Sequence, residues 1–441
     1  MDSIDNPLWK KHLSGFLPDS HIEALIKGLH EEPSVSVRYN PFKEGAGFEG
    51  AVQVPWSPYG HLLAERPLFT LDPLFHAGAY YVQDSSAMFV GHVFRQVLER
   101  FPGGHVRVLD LCAAPGGKTT DLAASLRLAF GSAFSLTANE VMRRRVPVLK
   151  ENVARWGDPA VKVTSFDPEV FGRTENSYDI IVADVPCSGE GMFRKDAKAV
   201  EDWSPELVEH CAARQRRIIA DVWPALRDGG VLVYSTCTFE EAENDANVRW
   251  ICAQLGAEPL TAEGDAPFEG IVKTPQGYLL LPGLVPGEGQ YVAAIRKTGG
   301  DVQTEAASER RSPVSEVRHS SGRIEARRSP AVSDRRDVQR PYGTSANKGK
   351  SAKAQAGNNV PDADRILGID FDKNAYPCVE IDRRTALKYL HGDTFALADA
   401  PKGYVILCYK GLPLGAAKNI GVRCNNLYPS GRRILMDIEG K

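Results

Sequence analysis

Residues 106–123 read VRVLDLCAAPGGKTTDLA. Branched apolar residues run into a small-residue turn with a proline and two glycines, and a lysine and two threonines then open a helical segment. The stretch is strand, turn and helix. The same grammar recurs downstream. SLTANE (135–140) and VKVTSFD (161–167) are strands closed by an acid, YDIIVADVPC (178–187) and GGVLVYSTC (229–237) are strands closed by a cysteine, and helical patterns separate them. One of those helices, VMRRRVPVLKENVARW (141–156), is expected to be interrupted by Pro147; another, ELVEHCAARQRRIIADVWPAL (206–226), is long. Alternation of this kind between about 80 and 297 implies an α/β, Rossmann-like parallel sheet with helices on both faces. Its ligand crevice lies at the carboxyl ends of the strands.

What the glycine turn binds follows by elimination. A phosphate loop needs a glycine five residues before the glycine of Gly-Lys-Thr, where this chain has Cys112, and the dinucleotide spacing G-x-G-x-x-G is absent. A cofactor without a pyrophosphate fits better. For S-adenosylmethionine, the loop would be Cys112, Ala113, Ala114, Pro115, Gly116, Gly117 and Lys118. Glu140, ending the second strand, would accept both ribose hydroxyls, and Asp167, ending the third, would take the adenine amine. Either acid alone would equally cap the following helix. The two together, in one strand order with the turn, favour the cofactor.

Cys187 and Cys237 end the fourth and fifth strands and face that loop. Two thiols so placed suit covalent attack on a pyrimidine. C5 of a pyrimidine is a poor nucleophile toward a methyl sulfonium, but a thiolate adding to C6 makes C5 enamine-like, and removal of the C5 proton by a base then expels the thiol. Asp184, three residues before Cys187, is placed to hydrogen-bond such a ring. Sequence alone does not choose which thiol attacks. A base in a paired nucleic acid would have to leave its stack to reach them. The basic runs Arg143, Arg144, Arg145 and Arg214, Arg216, Arg217 suit either phosphates or a solvated helix face.

The rest of the chain bounds the setting. At 441 residues it predicts two or three domains. No apolar stretch approaches the roughly 20 residues that span a bilayer, and the N-terminus lacks a signal-peptide pattern, so a cytoplasmic protein is expected. The eight cysteines show neither CxxC nor zinc spacing, which argues against a disulfide framework or a metal site. A net charge of -3 leaves any RNA contact to local basic patches. One candidate is the Arg/Ser/Gly-rich segment 298–360, with 12 Lys/Arg against 7 Asp/Glu over 301–358. It reads as a flexible basic linker, either solvated or touching phosphates. Beyond it, YVILCYKGLPLGAAKNIG (404–421) reads as strand, Gly-Leu-Pro turn and strand, in a small separate domain at 361–441.

LCAAPGGKTT, ADVPCSGEGMFRKD, WSPE and YSTCTFEEAEN resemble the motifs of the NOL1/NOP2/Sun family of RNA 5-methylcytosine methyltransferases, and SVRYNPFK and RPLFTLDPLFHAGAYYVQDSSAMF resemble its N-terminal region. The tail GLPLGAAKNIGVRCNNLYP is similar to that of the bacterial RsmF-type branch, which methylates 16S ribosomal RNA. The resemblance covers about residues 35–297 and 361–441. It implies an S-adenosylmethionine-dependent methyltransferase domain at 80–297, an N-terminal α+β extension at 1–79 that binds RNA, and a C-terminal α+β, PUA-like domain for RNA or the ribosome. It also implies Cys237 as nucleophile, Cys187 in product release, Asp184 at the base and the cofactor, and Lys118 beside both. DNA cytosine methyltransferases instead place the nucleophile in a Pro-Cys motif like Pro186-Cys187. The expected partner is 16S ribosomal RNA or the small ribosomal subunit, bound by a monomer without metal. Methylation of tRNA and a non-catalytic ribosome-assembly role are the alternatives, and the intact Cys187, Cys237 and Asp184 speak against the second.

Overall fold

In the computed structural model, which describes residues 7–261, 264–299 and 360–438, the chain opens with helices α1 (Pro7–Leu13) and α2 (Asp19–His30). Strands β1 (Val35–Tyr39), β2 (Val52–Gln53) and β3 (Gly60–Leu63) follow, then α3 (Pro73–His76) and β4 (Tyr80–Val82). They form an antiparallel sheet of order β2-β3-β1-β4. Since β4 completes this sheet, the N-terminal unit runs past residue 79.

Helix α4 (Phe89–Leu98) leads into the large sheet. Its first half alternates β5 (Val106–Asp110), α5 (Gly117–Phe130), β6 (Phe134–Asn139), α6 (Val146–Trp156), β7 (Val161–Thr164) and α7 (Pro168–Gly172). The second half holds β8 (Tyr178–Asp184), α8 (Ala197–Asp202), α9 (Pro205–Val222), β9 (Leu226–Thr236) and α10 (Asp245–Leu255). Four further strands close it: β10 (Ala257–Pro259), β11 (Val272–Lys273), β12 (Tyr278–Leu280) and β13 (Gln290–Lys297). The order is β11-β12-β13-β9-β8-β5-β6-β7, with β10 beside β13. Strands β5 to β9 pair in parallel, as the alternation requires. The sheet as a whole is mixed, because β13 runs antiparallel to β9, and β12 and β10 to β13. Residues 272–297 are joined by hairpin connections, which reverse the chain where a helical crossover would preserve its direction.

The strands are apolar on both faces because helices cover both. Val108, Ile180, Val182, Val231 and Val233 pack with α4 and α5, while the alternate residues Leu109, Ile181, Ala183 and Leu232 pack with α1, α2, α9 and α10. Pro147 lies in the first turn of α6, where its missing N–H removes no helical bond, so it starts the helix rather than interrupting it.

The C-terminal region contains α11 (Ala363–Ile366), β14 (Cys378–Glu380), α12 (Arg383–His391), β15 (Gly403–Tyr409), β16 (Leu412–Asn419) and β17 (Cys424–Asn426), with sheet order β14-β15-β16-β17. The β15–β16 turn is Lys410-Gly411, both at positive φ (48° and 76°), as a tight two-residue hairpin demands, and not Gly-Leu-Pro. Pro413 sits inside β16 at the register shift opposite Cys408, where a ladder tolerates a missing donor. This sheet shares its core with the N-terminal one: Leu387, Val405 and Leu407 pack in one cluster with Val37, Leu74 and Tyr80. Apart from its ends, the basic segment 298–360 lies outside the described residues.

Asp110 ends β5 with 0% exposure, its Oδ2 accepting from Thr119 Oγ1 at 2.6 Å and its Oδ1 without a partner among the described residues. Burial, only partly offset by Thr119, pushes its carboxyl up from 3.8 to about 7. Because the folded pKa is raised, this group's stabilising contribution is full below the unfolded pKa and is lost as pH rises through about 7. Asp110→Asn removes that titration. Relative to the variant, the wild-type chain is expected to lose a few kcal/mol between about pH 4.5 and about pH 8, read by urea unfolding across that range. A stability difference independent of pH defeats this account.

Candidate active site

The glycine turn is held from three directions. Ala113 N donates to Asn139 O at 2.8 Å, tying the loop to the end of β6, and Leu111 N donates to Val182 O on β8. Gly116 caps α5 at φ 112°, a left-handed conformation that favours glycine. The third support comes from β1. Arg38 is fully buried, stacks 4.5 Å over Trp156, and donates to Gly117 O (3.1 Å), Thr120 Oγ1 (2.5 Å) and Gln83 Oε1 (2.8 Å). Burial lowers its pKa, and Asp121, 3.9 Å away, opposes that. The resulting cleft, about 210 Å³, is lined by the loop residues Cys112 to Pro115, Gly117, Lys118 and Asp184, together with Tyr81, Gln83 and Asp84 of the N-terminal unit.

At the cleft's end, Lys118 Nζ donates to Asp184 Oδ2 at 2.8 Å. Burial works against the Lys118 charge, but Asp184 and the nearby Cys237 outweigh it and raise its pKa. Asp184 Oδ1 accepts from Ser235 Oγ at 2.8 Å and lies 3.4 Å from Gln290 Nε2, whose firmer bond is to Thr236 O at 2.7 Å. Each carboxylate oxygen keeps a further lone-pair direction for a ligand. Cys187 and Cys237, both partly exposed, have their sulfurs 3.2 Å apart. The Cys187 thiol is pushed well above the ordinary range, first by its hydrogen bond to Cys237 and then by burial. Either sulfur can donate in this contact.

The residues singled out from sequence divide accordingly. Cys112, Ala113, Ala114, Pro115, Gly117, Lys118 and Asp184 line the cleft, and Gly116 shapes its turn. Glu140 is buried just after β6: its Oε1 accepts from Met142 N at 2.8 Å, while Oε2 accepts no hydrogen bond from the described residues and stands 3.2 Å from Arg145 Nη1. Arg145 also donates to Ala114 O at 2.5 Å, which joins Glu140 to the loop. Asp167 is exposed and caps α7 by accepting from Glu169 N at 3.2 Å, the capping role that its sequence position left open. Of the basic runs, Arg145 is engaged as above, Arg216 donates to Asn247 at 2.7 Å, and Arg143 and Arg144 are exposed. Sequence reading missed Arg38, Tyr81, Gln83, Asp84, Ser235 and Gln290. A charged residue inside the strand SVRY was the one available sign of Arg38.

Residues 97–296 match the family described as 16S rRNA methyltransferase RsmB/F, residues 7–85 the N-terminal domain of 16S rRNA methyltransferase RsmF, and residues 376–434 the methyltransferase RsmF PUA domain. Ribosomal RNA small subunit methyltransferase F of Erwinia tasmaniensis is 31% identical over 425 residues, 87% of this chain and 85% of the relative. The protein of the same name from Cronobacter sakazakii is 40% identical over 256 residues, 56% of this chain and 51% of the relative, so that match spans about half its length. The crystal structure of NSun6 from Pyrococcus horikoshii shares the fold, with a TM-score of 0.55 at 19% identity over 67% of this chain and 99% of that one. Matched in its N-terminal, central and C-terminal parts, the chain belongs to the 16S rRNA methyltransferase RsmF family.

Proposed function

We propose that this chain is an S-adenosylmethionine-dependent methyltransferase acting on C5 of cytosine in 16S ribosomal RNA, with Cys237 as nucleophile. The observation that carries the reading is the thiol pair, 3.2 Å apart, beside the Lys118–Asp184 ion pair at the mouth of the glycine-loop cleft. The cleft fits the cofactor: it offers backbone groups of a tight turn and no phosphate-binding glycine at position 112, and Glu140, though not in its lining, is joined to the turn through Arg145. Glu140 would hold the ribose hydroxyls, Asp167 the adenine amine, and Asp184 and the 112–118 loop the methionine end. S-adenosylmethionine, when bound, supplies an electrophilic methyl group.

The chain's own residues perform the rest. Asp184 accepts from the cytosine amino group and orients the ring, itself held by Lys118, Ser235 and Gln290. Cys237 adds to C6 beside the Lys118 ammonium, whose charge Asp184 holds. After methylation, water reaching the partly exposed site acts as the base that takes the C5 proton, the C5–H electron pair re-forms the C5–C6 double bond, and Cys237 leaves as thiolate with the Cys187 sulfur 3.2 Å away to hydrogen-bond it. The target base reaches partly exposed thiols only when flipped out of its stack. The N-terminal unit, which extends through β4, and the unit at 361–441, with the basic segment 298–360 between domains, would hold the surrounding RNA. A single chain supplies every group named, so a monomer suffices, and a ribosomal RNA substrate puts it in the cytoplasm. Among the described residues, no helix is long and apolar enough to cross a membrane.

Cys237→Ala is expected to abolish methyl transfer to 16S RNA while S-adenosylmethionine still binds by calorimetry; retained turnover would remove Cys237 from the nucleophile's role. Cys187→Ala is expected to accumulate a protein–RNA adduct, seen as a slow-migrating band in a denaturing gel, and a clean gel with methylatable RNA argues against release by Cys187. Glu140→Gln is expected to weaken S-adenosylmethionine binding by about 10- to 100-fold, the worth of hydrogen bonds to a charged group. Unchanged affinity would place the ribose elsewhere.

A further inference from the structure

The loops that carry the two thiols are stapled together by a carboxylate the reaction does not use. Glu190, with 0% exposure, lies three residues after Cys187. Its Oε2 accepts from Thr238 Oγ1 (2.8 Å) and Phe239 N (2.5 Å), the two residues after Cys237. With the Thr238 proton committed to Glu190, Ser188 Oγ donates to Thr238 Oγ1 at 2.8 Å, and Gly191 N donates to Cys237 O at 2.7 Å. On its other side, Glu190 Oε1 accepts from Trp9 Nε1 at 2.6 Å, and Trp9, 1% exposed on α1, packs edge-on against Phe193. The next carboxyl, Glu240, is also wholly buried and lies 2.9 Å from His12 Nδ1, again on α1. Burial and the neighbouring Glu190 push its carboxyl up, toward the neutral form.

We propose that Glu190 and Trp9 are positioning residues for methyl transfer: helix α1, through the Trp9–Glu190 bond, fixes the turns on which Cys187 and Cys237 meet. The inference rests on Cys237 being the nucleophile. The sulfur contact is what places the Cys187 S–H against a Cys237 thiolate, and it holds only while both turns are pinned. A buried carboxylate accepting three donors is a strong and directional pin. Loosening it separates the sulfurs, removes the donor from Cys237 and makes its thiolate harder to form.

The test uses the full-length chain, with Trp9→Phe, which removes the indole N–H and keeps one aromatic ring in the buried position, and Glu190→Gln, which cannot accept from all three donors. Three quantities are measured: S-adenosylmethionine affinity, kcat and KM with 16S RNA, and the pH profile of Cys237 alkylation by iodoacetamide, followed by peptide mass spectrometry. The expected result is cofactor affinity within about twofold of wild type, kcat down on the order of 10- to 100-fold at similar KM, and a Cys237 profile moved to a pH about 1 higher. Wild-type kcat with a superposed alkylation profile in Trp9→Phe overturns the proposal. Should Glu190→Gln lose cofactor binding through misfolding, Trp9→Phe decides. If the wild-type chain transfers no methyl group to RNA, the proposed function fails, and the alkylation profile still tells whether α1 sets the thiol geometry.

Discussion

The parallel pairing of β8 with β9 is the constraint on which the site depends. Asp184 pairs with Ser235 in that register, so the chain leaves both strands at the same height and the two cysteine turns emerge side by side, although 50 residues of sequence separate the thiols. One residue of slip would turn Ser235 away from Asp184 and exchange the faces that Ile181 and Val182 present to the two helical layers. Packing on both faces therefore fixes a register that the chemistry needs. The neighbouring strand β5 carries the glycine turn, and the strand order reverses between β5 and β8, where crossover loops diverge and leave a crevice. Cofactor loop and thiols share that crevice for a topological reason.

How much of this was legible follows from the range of the signals. Strands β5, β6, β7, β8 and β9 announce themselves by local apolar runs, and the residues at their carboxyl ends inherit positions from them, so Lys118, Asp184, Cys187 and Cys237 were readable as one group. The hairpins of β11 to β13 were not, because strands of two or three residues leave too few positions for a period to show. Pro147 misled because a proline inside a helical pattern is read as a break, yet the helix begins at the residue before it. Arg38 and Gln83 act from a different sheet on the glycine turn, through bonds that span 79 and 45 residues of sequence. No spacing rule reaches that far. Asp167 shows the converse limit, since its position suits a helix cap and a ligand contact equally, and the cap is visible in the fold.

Buried carboxylates set the electrostatic character of the thiol end. Glu243, Glu240 and Glu190 all lie at 0% exposure behind the cysteine turns, where ionising all three would be prohibitive. They differ in partners. Glu190 accepts from three donors and Glu243 from Ser188 N and from Gln215 Nε2 (2.6 Å), whereas Glu240 accepts no hydrogen bond from the described residues. The order of the shifts follows: burial raises Glu243 to about 7 against the pull of Ser188 and Gln215, and raises Glu240, lacking such donors, to about 10. Donors thus decide which carboxyls can hold charge, and those donors belong to the turns that carry the thiols. Gln215 also donates to Pro186 O, the residue before Cys187, so the same side chain that steadies the Glu243 charge grips the Cys187 turn from α9. The Glu243 carboxyl, bonded to Ser188 N beside Cys187, also helps push the Cys187 thiol up, while on the other side of the pair the Lys118 ammonium, held by Asp184, is within electrostatic reach of Cys237.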